Sequence, residues 1–191
     1  MKLAFLLLAV APAAAAQVRV EPRLLVKEQH FFLSGGFTWL ARGDYYNSPG
    51  AVLSAAWYPK EDDAVELRTA AFVAFLNDSA NRMFQGTGFV PDSQKPSSLM
   101  MLGWRHSLAY GKVALGSRVL HFDFQSGLHG GILVTDRSVE PALSASVGLL
   151  ARISNRFYGQ LDVALVGSRE QRSKPVFAAG VLPMLTLGVS L

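Results

Sequence analysis

The chain has 191 residues, of which 50% are hydrophobic and only 17% charged, and it contains no cysteine. That length suits one domain, and that balance excludes a disordered chain, a disulfide framework, a cysteine-ligated zinc site and a thiol nucleophile. The formal net charge of +4 is scattered, with no run of Lys or Arg to form a nucleic-acid patch.

Residues 1–16 read as a cleavable export signal. Lys2 is a short positive start, Leu3 to Ala11 an apolar core, and Ala14 and Ala16 a small-residue cleavage pattern before Gln17. The apolar core is shorter than the ~20 residues that a membrane-spanning helix needs. Residues 17–28, with Arg19, Arg23 and Lys27, are expected to form a periplasmic lead-in that touches a periplasmic partner. The remainder, 29–191, is expected to be one β-domain.

Alternation of apolar and polar residues recurs along that remainder, and a period of two is a strand signal. Over 30–40, Phe31, Leu33, Phe37 and Trp39 share a face, with Ser34, Gly36 and Thr38 opposite. Leu53, Ala55 and Trp57 do the same over 51–58. Val65 to Phe75 makes a third stripe, with Glu66 and Arg68 on its reverse. The segment 99–115 is longer and less regular, with Met100, Leu102, Trp104 and Leu108 on one side. Over 119–134, Leu120, Phe122, Phe124, Leu128 and Ile132 oppose His121, Asp123, Gln125 and His129. Segments 142–153 and 157–168 repeat the pattern, with Arg152 and Asp162 on their polar faces. The stretch 175–191 alternates as well and reads as a strand, where Pro183 predicts a bulge or irregularity.

The eight segments are joined by short polar links at 59–63, 116–118 and 154–156, and by longer ones at 42–48, 77–98, 135–141 and 169–174. Tight turns at one end and longer loops at the other describe an eight-stranded antiparallel transmembrane β-barrel of the outer membrane. The rival is a soluble β-sandwich or lipocalin-like barrel. Its outward polar face should be rich in Lys and Glu, whereas here that face is mostly Ser, Gly, Thr and Ala. Trp39, Trp57, Trp104, Tyr45, Tyr46 and Tyr58 fall near strand ends, where interface girdles form.

The same alternation turns Glu66, Arg68, Arg105, His121, Asp123, Arg152 and Asp162 inward. Eight strands enclose a space just wide enough for side chains to fill, and charges inside it must pair. These seven are therefore expected to form a lumenal ion-pair network that plugs the barrel. The competing expectation is a gated pore or proton path through His121 and Asp123.

Other chemistry finds little footing. His106 and Ser107 are adjacent on a strand and point to opposite faces, so they make no nucleophile–base pair. His121 and His129 are too far apart on one strand for a metal pair, and no cofactor motif is present; Gly86-Thr87-Gly88 is no phosphate loop. The loop 77–98 carries Met83, Phe84, Phe89 and Val90 and is the candidate partner-binding element; the alternative is that these residues fold back over the barrel mouth.

Short signatures follow one another in a familiar order: Arg23-Leu24-Leu25-Val26, Asp44-Tyr45-Tyr46-Asn47, Ala56-Trp57-Tyr58-Pro59 and Ala64-Val65-Glu66-Leu67. They continue with Tyr110-Gly111-Lys112-Val113, His121-Phe122-Asp123-Phe124 and Gly127. In these the chain resembles an outer-membrane β-barrel family found chiefly in myxobacteria and related gliding or predatory bacteria. It departs from that family in lacking a proline shortly before the Tyr-Gly-Lys element. The resemblance implies outer-membrane location and a barrel fold and does not imply an enzymatic activity; some members look like parts of gliding-motility envelope complexes. The expected role is a non-enzymatic anchor or scaffold. Its expected partners are outer-membrane lipid and envelope proteins, with no nucleic acid and no cofactor. A small pore and, more remotely, a lipid-modifying enzyme are the alternatives.

Overall fold

The computed structural model describes residues 25–43, 45–88, 92–115, 118–171 and 174–191. The expected export signal, most of the lead-in, and Phe89 and Val90 lie outside the described residues.

Among the described residues, nine antiparallel strands and one helix follow in chain order. They are β1 (Phe31–Leu40), β2 (Tyr46–Trp57), β3 (Asp63–Phe72), β4 (Phe75–Leu76) and α1 (Asp78–Thr87). Then come β5 (Pro96–Leu115), β6 (Arg118–Thr135), β7 (Val139–Arg152), β8 (Phe157–Gln171) and β9 (Pro175–Ser190). Sequence neighbours pair into one barrel-like sheet, except that β4 is a two-residue strand on the start of β2, so that β3 pairs with β5. β1 pairs with β2 on one side and with β9 on the other.

The third expected stripe ends early, at Phe72, because the chain steps aside there to form β4 and then α1. The irregularity of the fourth has a local cause: the β5–β6 register shifts between Ser107 and Ala109. Beyond that bulge the two strands keep pairing from Ala109↔Phe124 to Leu115↔Arg118, past the Asp63↔His106 end of the β3 ladder. At Pro183 no bulge forms. The β8 register runs straight through Val163↔Pro183, and the irregularity falls on the β1 side, where the ladder lapses between Thr38↔Met184 and the bridge Ala41↔Val181. Proline has no N–H to give that neighbour.

Both described ends, the short links 58–62 and 153–156, and the facing ends of β5 and β6 lie at one end of the strands. The opposite end carries the β1–β2 connection and β4 with α1, but β6 and β7 are joined there by only 136–138 and β8 ends three residues before Lys174. β6, β7 and β8 run further toward this end than alternation alone indicates, absorbing what reads as loop, while β9 begins where expected.

Polarity is inverted relative to a soluble protein. Leu53, Leu102, Trp104, Leu128, Leu143, Leu161, Leu165 and Leu187 are exposed on the outside, while Glu66, Arg68, Arg105, Asp123 and Asp162 are buried within. Among the expected girdle aromatics, Trp39, Trp57, Trp104 and Tyr45 are exposed. Tyr58 is not: it is 2% exposed and points into the barrel, because Trp57 before it takes the outward position.

Candidate functional site: a layered interior

Glu66 and Arg68 are two residues apart on β3, so both project inward. Arg105 enters from β5 and Asp162 from β8. Arg105 lies at the centre. Its Nε donates to Glu66 Oε2 at 3.0 Å, its Nη1 to Asp162 Oδ1 at 3.1 Å and to Gln125 Oε1 at 3.0 Å, and its Nη2 to Asp162 Oδ2 at 3.0 Å. Arg68 Nη2 donates to both Glu66 oxygens at 3.1 Å and lies 3.6 Å from Asp162 Oδ2. His129 Nε2 donates to Glu66 Oε2 at 2.9 Å. Two guanidinium groups thus face two carboxylates, and charge balances in the layer. This is the arrangement that makes buried ions tolerable, since each carries several charge-assisted hydrogen bonds.

Missing side chains make room for the layer. A Cβ on Gly148, paired with Asp162 across the β7–β8 ladder, would lie 1.8 Å from Asp162 Oδ1. A Cβ on Gly103, opposite both Glu66 and His129, would lie 2.6 Å from the His129 ring.

Toward the short-turn end lies a second group. Lys27, 0% exposed, bonds Asp123 and Ser107 through its Nζ, and Ser107 Oγ donates to Asp123 Oδ2 at 2.8 Å. The Lys27 ammonium also lies 5.1 Å from the Tyr58 ring centroid. Glu61 Oε2 accepts from the backbone N–H groups of Lys27 and Glu28 at 2.9 Å each, which holds the strap across the mouth. Leu25 packs with Phe32, Tyr58, Ala64, Leu150 and Tyr158. Residues 25 and 27, expected in a periplasmic lead-in, therefore belong to the barrel interior. His121 sits beside them, 2.5 Å from the Tyr110 hydroxyl through Nδ1.

Toward the loop end the interior turns apolar. Leu40, Val52, Leu99, Met101, Leu133, Val166, Leu182 and Met184 belong to one buried cluster, with Leu133 and Leu182 both 0% exposed. Above it the segment around Gln94 closes the mouth. Gln94 N donates to Glu170 Oε1 at 2.5 Å, and Gln94 Oε1 accepts from Thr135 at 2.5 Å and Ser138 at 2.6 Å. Arg42 Nη2 donates to the Gln94 carbonyl at 2.5 Å.

Of the seven inward charges read from the sequence, the structure joins Glu66, Arg68, Arg105 and Asp162 in one layer. Asp123 and His121 lie in the neighbouring one. Arg152 stands apart, at the β7–β8 turn, where it bonds Ser154 O at 3.1 Å and Asn155 Oδ1 at 2.6 Å. It is the last residue of β7, so its long side chain reaches the solvent end and has no reason to turn back. Sequence reasoning missed Lys27, Gln94 and the apolar layer. It also saw His129 as inward without its carboxylate partner.

The 77–98 segment is not all loop. Asn77 caps α1 by accepting from Ala80 N at 2.9 Å, and Gly88, at φ 72°, ends it with its N–H on Phe84 O at 2.8 Å. An Asn N-cap and a Gly ten residues past the first helical residue are legible signals that alternation masks. Met83 and Phe84 are 52% and 42% exposed, so they do not fold over the mouth.

Glu66, Asp162 and Asp123 are clamped by guanidinium or ammonium groups, whereas the buried Glu140 accepts from Ser138 Oγ at 3.1 Å. Among the described residues no cluster of three or more His, Cys, Asp or Glu side chains could hold a metal ion. An antiparallel, all-β, barrel-like sheet with an apolar exterior and charges inside is a barrel of the outer-membrane type, since in lipid the strands must satisfy one another's backbone groups. Its place is the outer membrane.

Solved structures of this kind are similar to it. The outer membrane protein OprG of Pseudomonas aeruginosa is 10% identical, with 89% of this chain and 99% of that chain covered at a TM-score of 0.47. Ail, the attachment invasion locus protein of Yersinia pestis, is 13% identical over 86% of this chain and 99% of its own, at 0.46. Neisserial surface protein A is 10% identical over 84% and 96%, at 0.44. No protein-family model matches the chain, and no curated relative matches it.

Proposed function

We propose that the protein is an eight-stranded, closed-lumen barrel that anchors or scaffolds a cell-envelope complex, without catalysis or conduction. Closure is supported by the pairing of β1 with both β2 and β9. Followed across each ladder from Ser34, the register passes Ser54, Arg68, Met101, Gly131, Ala142 and Ser168 to Ala178. Ser34 itself pairs with Gly188, ten residues further along β9. A stagger of that size tilts the strands by roughly 40°, as small barrels require.

The observation that carries the functional reading is the apolar layer over the charge layer. Leu133 and Leu182 seal the path that a permeant would take, and the Lys27 strap and the Gln94 segment close its two mouths. What remains available is the outside. The exposed Met83 and Phe84 on α1 offer a surface for a partner on the loop side. The family resemblance supports an envelope complex of the gliding-motility kind as the process served, with residues 1–16 as the export signal.

The test is affinity purification of the tagged full chain from gently solubilised outer membranes, run beside planar-bilayer recording. A fixed, near-stoichiometric set of partners and no conductance are expected. Discrete channel openings, or a protein that elutes alone, would overturn the scaffold reading. Loss of gliding in a deletion strain would identify the process, and unchanged gliding would remove it. N-terminal sequencing that finds Gln17 first is expected of the mature chain.

A further inference from the structure

On the exterior of β6–β9, at the loop end, cross-strand rows place small residues beside large ones. Gly130 pairs with Leu143, Leu143 with Gly167 and Gly167 with Ala179. The row below runs Leu128, Ala145, Leu165 and Val181. The glycines and alanines leave bare backbone between protruding leucines. Two apolar grooves of about 490 Å³ each result, one on either side of Phe177. Phe177, 73% exposed, lies over Gly167 so closely that a Cβ there would sit 2.5 Å from its ring. A Cβ on Gly130 would meet only Leu143, at 3.6 Å, so that groove has room.

Charge marks the upper edge of these grooves. Arg169 is paired across the ladder with Phe177, faces outward and is exposed; Lys174, also exposed, begins the approach to β9. Glu170 between them points inward, 0% exposed, beside Gln94. Among the described residues no carboxylate pairs with Arg169 or Lys174, whereas Arg137 on the adjacent link has Asp136 at 4.0 Å. The other charge on the described outer face, Asp63, is at the far end and bonds His106 at 2.7 Å. Two cations above two acyl-sized grooves, at the end away from the tight turns, form a surface complementary to an anionic lipid.

We propose that this face holds one phosphorylated, multiply acylated lipid of the outer leaflet. Its acyl chains lie in the grooves beside Phe177 and its phosphate is on Arg169 and Lys174. The inference rests on the reading of the chain as a membrane-spanning barrel and gives that barrel a fixed lipid partner in addition to its protein ones.

The full chain is reconstituted in phosphatidylcholine nanodiscs containing a minor fraction of lipid A, either phosphorylated or dephosphorylated, and retained lipid is counted by native mass spectrometry. Wild type should retain the phosphorylated form selectively. Arg169→Ala should lower that retention roughly fivefold, and Arg169→Glu with Lys174→Glu further. Gly130→Leu with Ala145→Leu, which fills a groove and leaves the cations, should also lower it, and Asp63→Asn should not. Equal retention by wild type and the double Glu variant, or equal retention of the dephosphorylated lipid, overturns the proposal. Protease protection of the same discs separates the two readings: a chain that inserts but does not discriminate loses only the lipid site, and a chain that fails to insert loses both.

Discussion

The two halves of the barrel interior are stabilised in opposite ways. Around Arg105 the space is filled by ions that were taken out of water, and their mutual attraction offsets that desolvation only while every partner is in place. Around Leu133 and Leu182 the space is filled by side chains whose removal from water is itself favourable. The first half is brittle and specific in register. The second is tolerant of shape. A barrel of charges alone would leave a polar column through the membrane, and one of leucines alone would leave strand register less defined.

The sharpest break is at Arg105. Arg105→Met leaves Glu66 and Asp162 buried with one cation fewer, and a loss of about 3–5 kcal/mol is expected in urea unfolding from lipid vesicles. Combining it with Asp162→Asn should recover a substantial part of that loss, because Arg68 then faces Glu66 and no uncompensated charge remains in the layer. A double variant as unstable as the single one would mean that the layer is not acting through charge.

In the other half, Leu133→Ala should cost about 2–5 kcal/mol by the same assay, from lost burial plus a cavity. It should not depend on the Arg105 background, since distant sites without shared partners add. Strong coupling between the two would show that the halves are one unit. Gly148→Ala tests how tightly the charge layer fits against β7. Its Cβ meets Asp162 Oδ1 and also the Leu161 carbonyl at 2.6 Å, and a loss of about 1–3 kcal/mol is expected. Stability equal to wild type there would mean that Asp162 moves freely.

The smallest stability effect belongs outside the barrel. Met83→Asp with Phe84→Asp lies on exposed helix surface and should change stability by about 0.5 kcal/mol or less, while lowering partner recovery in the affinity purification. Undiminished recovery would take α1 out of the proposed partner surface.

Alternation exposed much of this in advance. Glu66 and Asp162 are readable as inward because each sits between outward apolar neighbours, and Arg68 and Arg105 because each follows one, Leu67 and Trp104. Tyr58 shows the reverse: its aromatic character suggests an interface, and its parity places it inside. The inward Leu99, Leu133 and Leu182 escaped notice because they stand next to outward apolar residues, so contrast between the two faces vanishes there. Lys27 lies before the first strand, where no periodicity exists to orient it.

By itself, the sequence determined the strand class, most outward faces, the antiparallel order and the presence of inward charges. These follow from period two and from short links, which are local properties of the chain. The tertiary structure alone decided which charges meet, that leucines from distant strands gather in one buried layer, that Lys27 and Gln94 are buried among the strand ends, and that bare backbone lies beside Phe177. Those depend on ladder register between strands as distant in sequence as β3 and β8, and a register shift of one residue turns a side chain from the interior to the lipid.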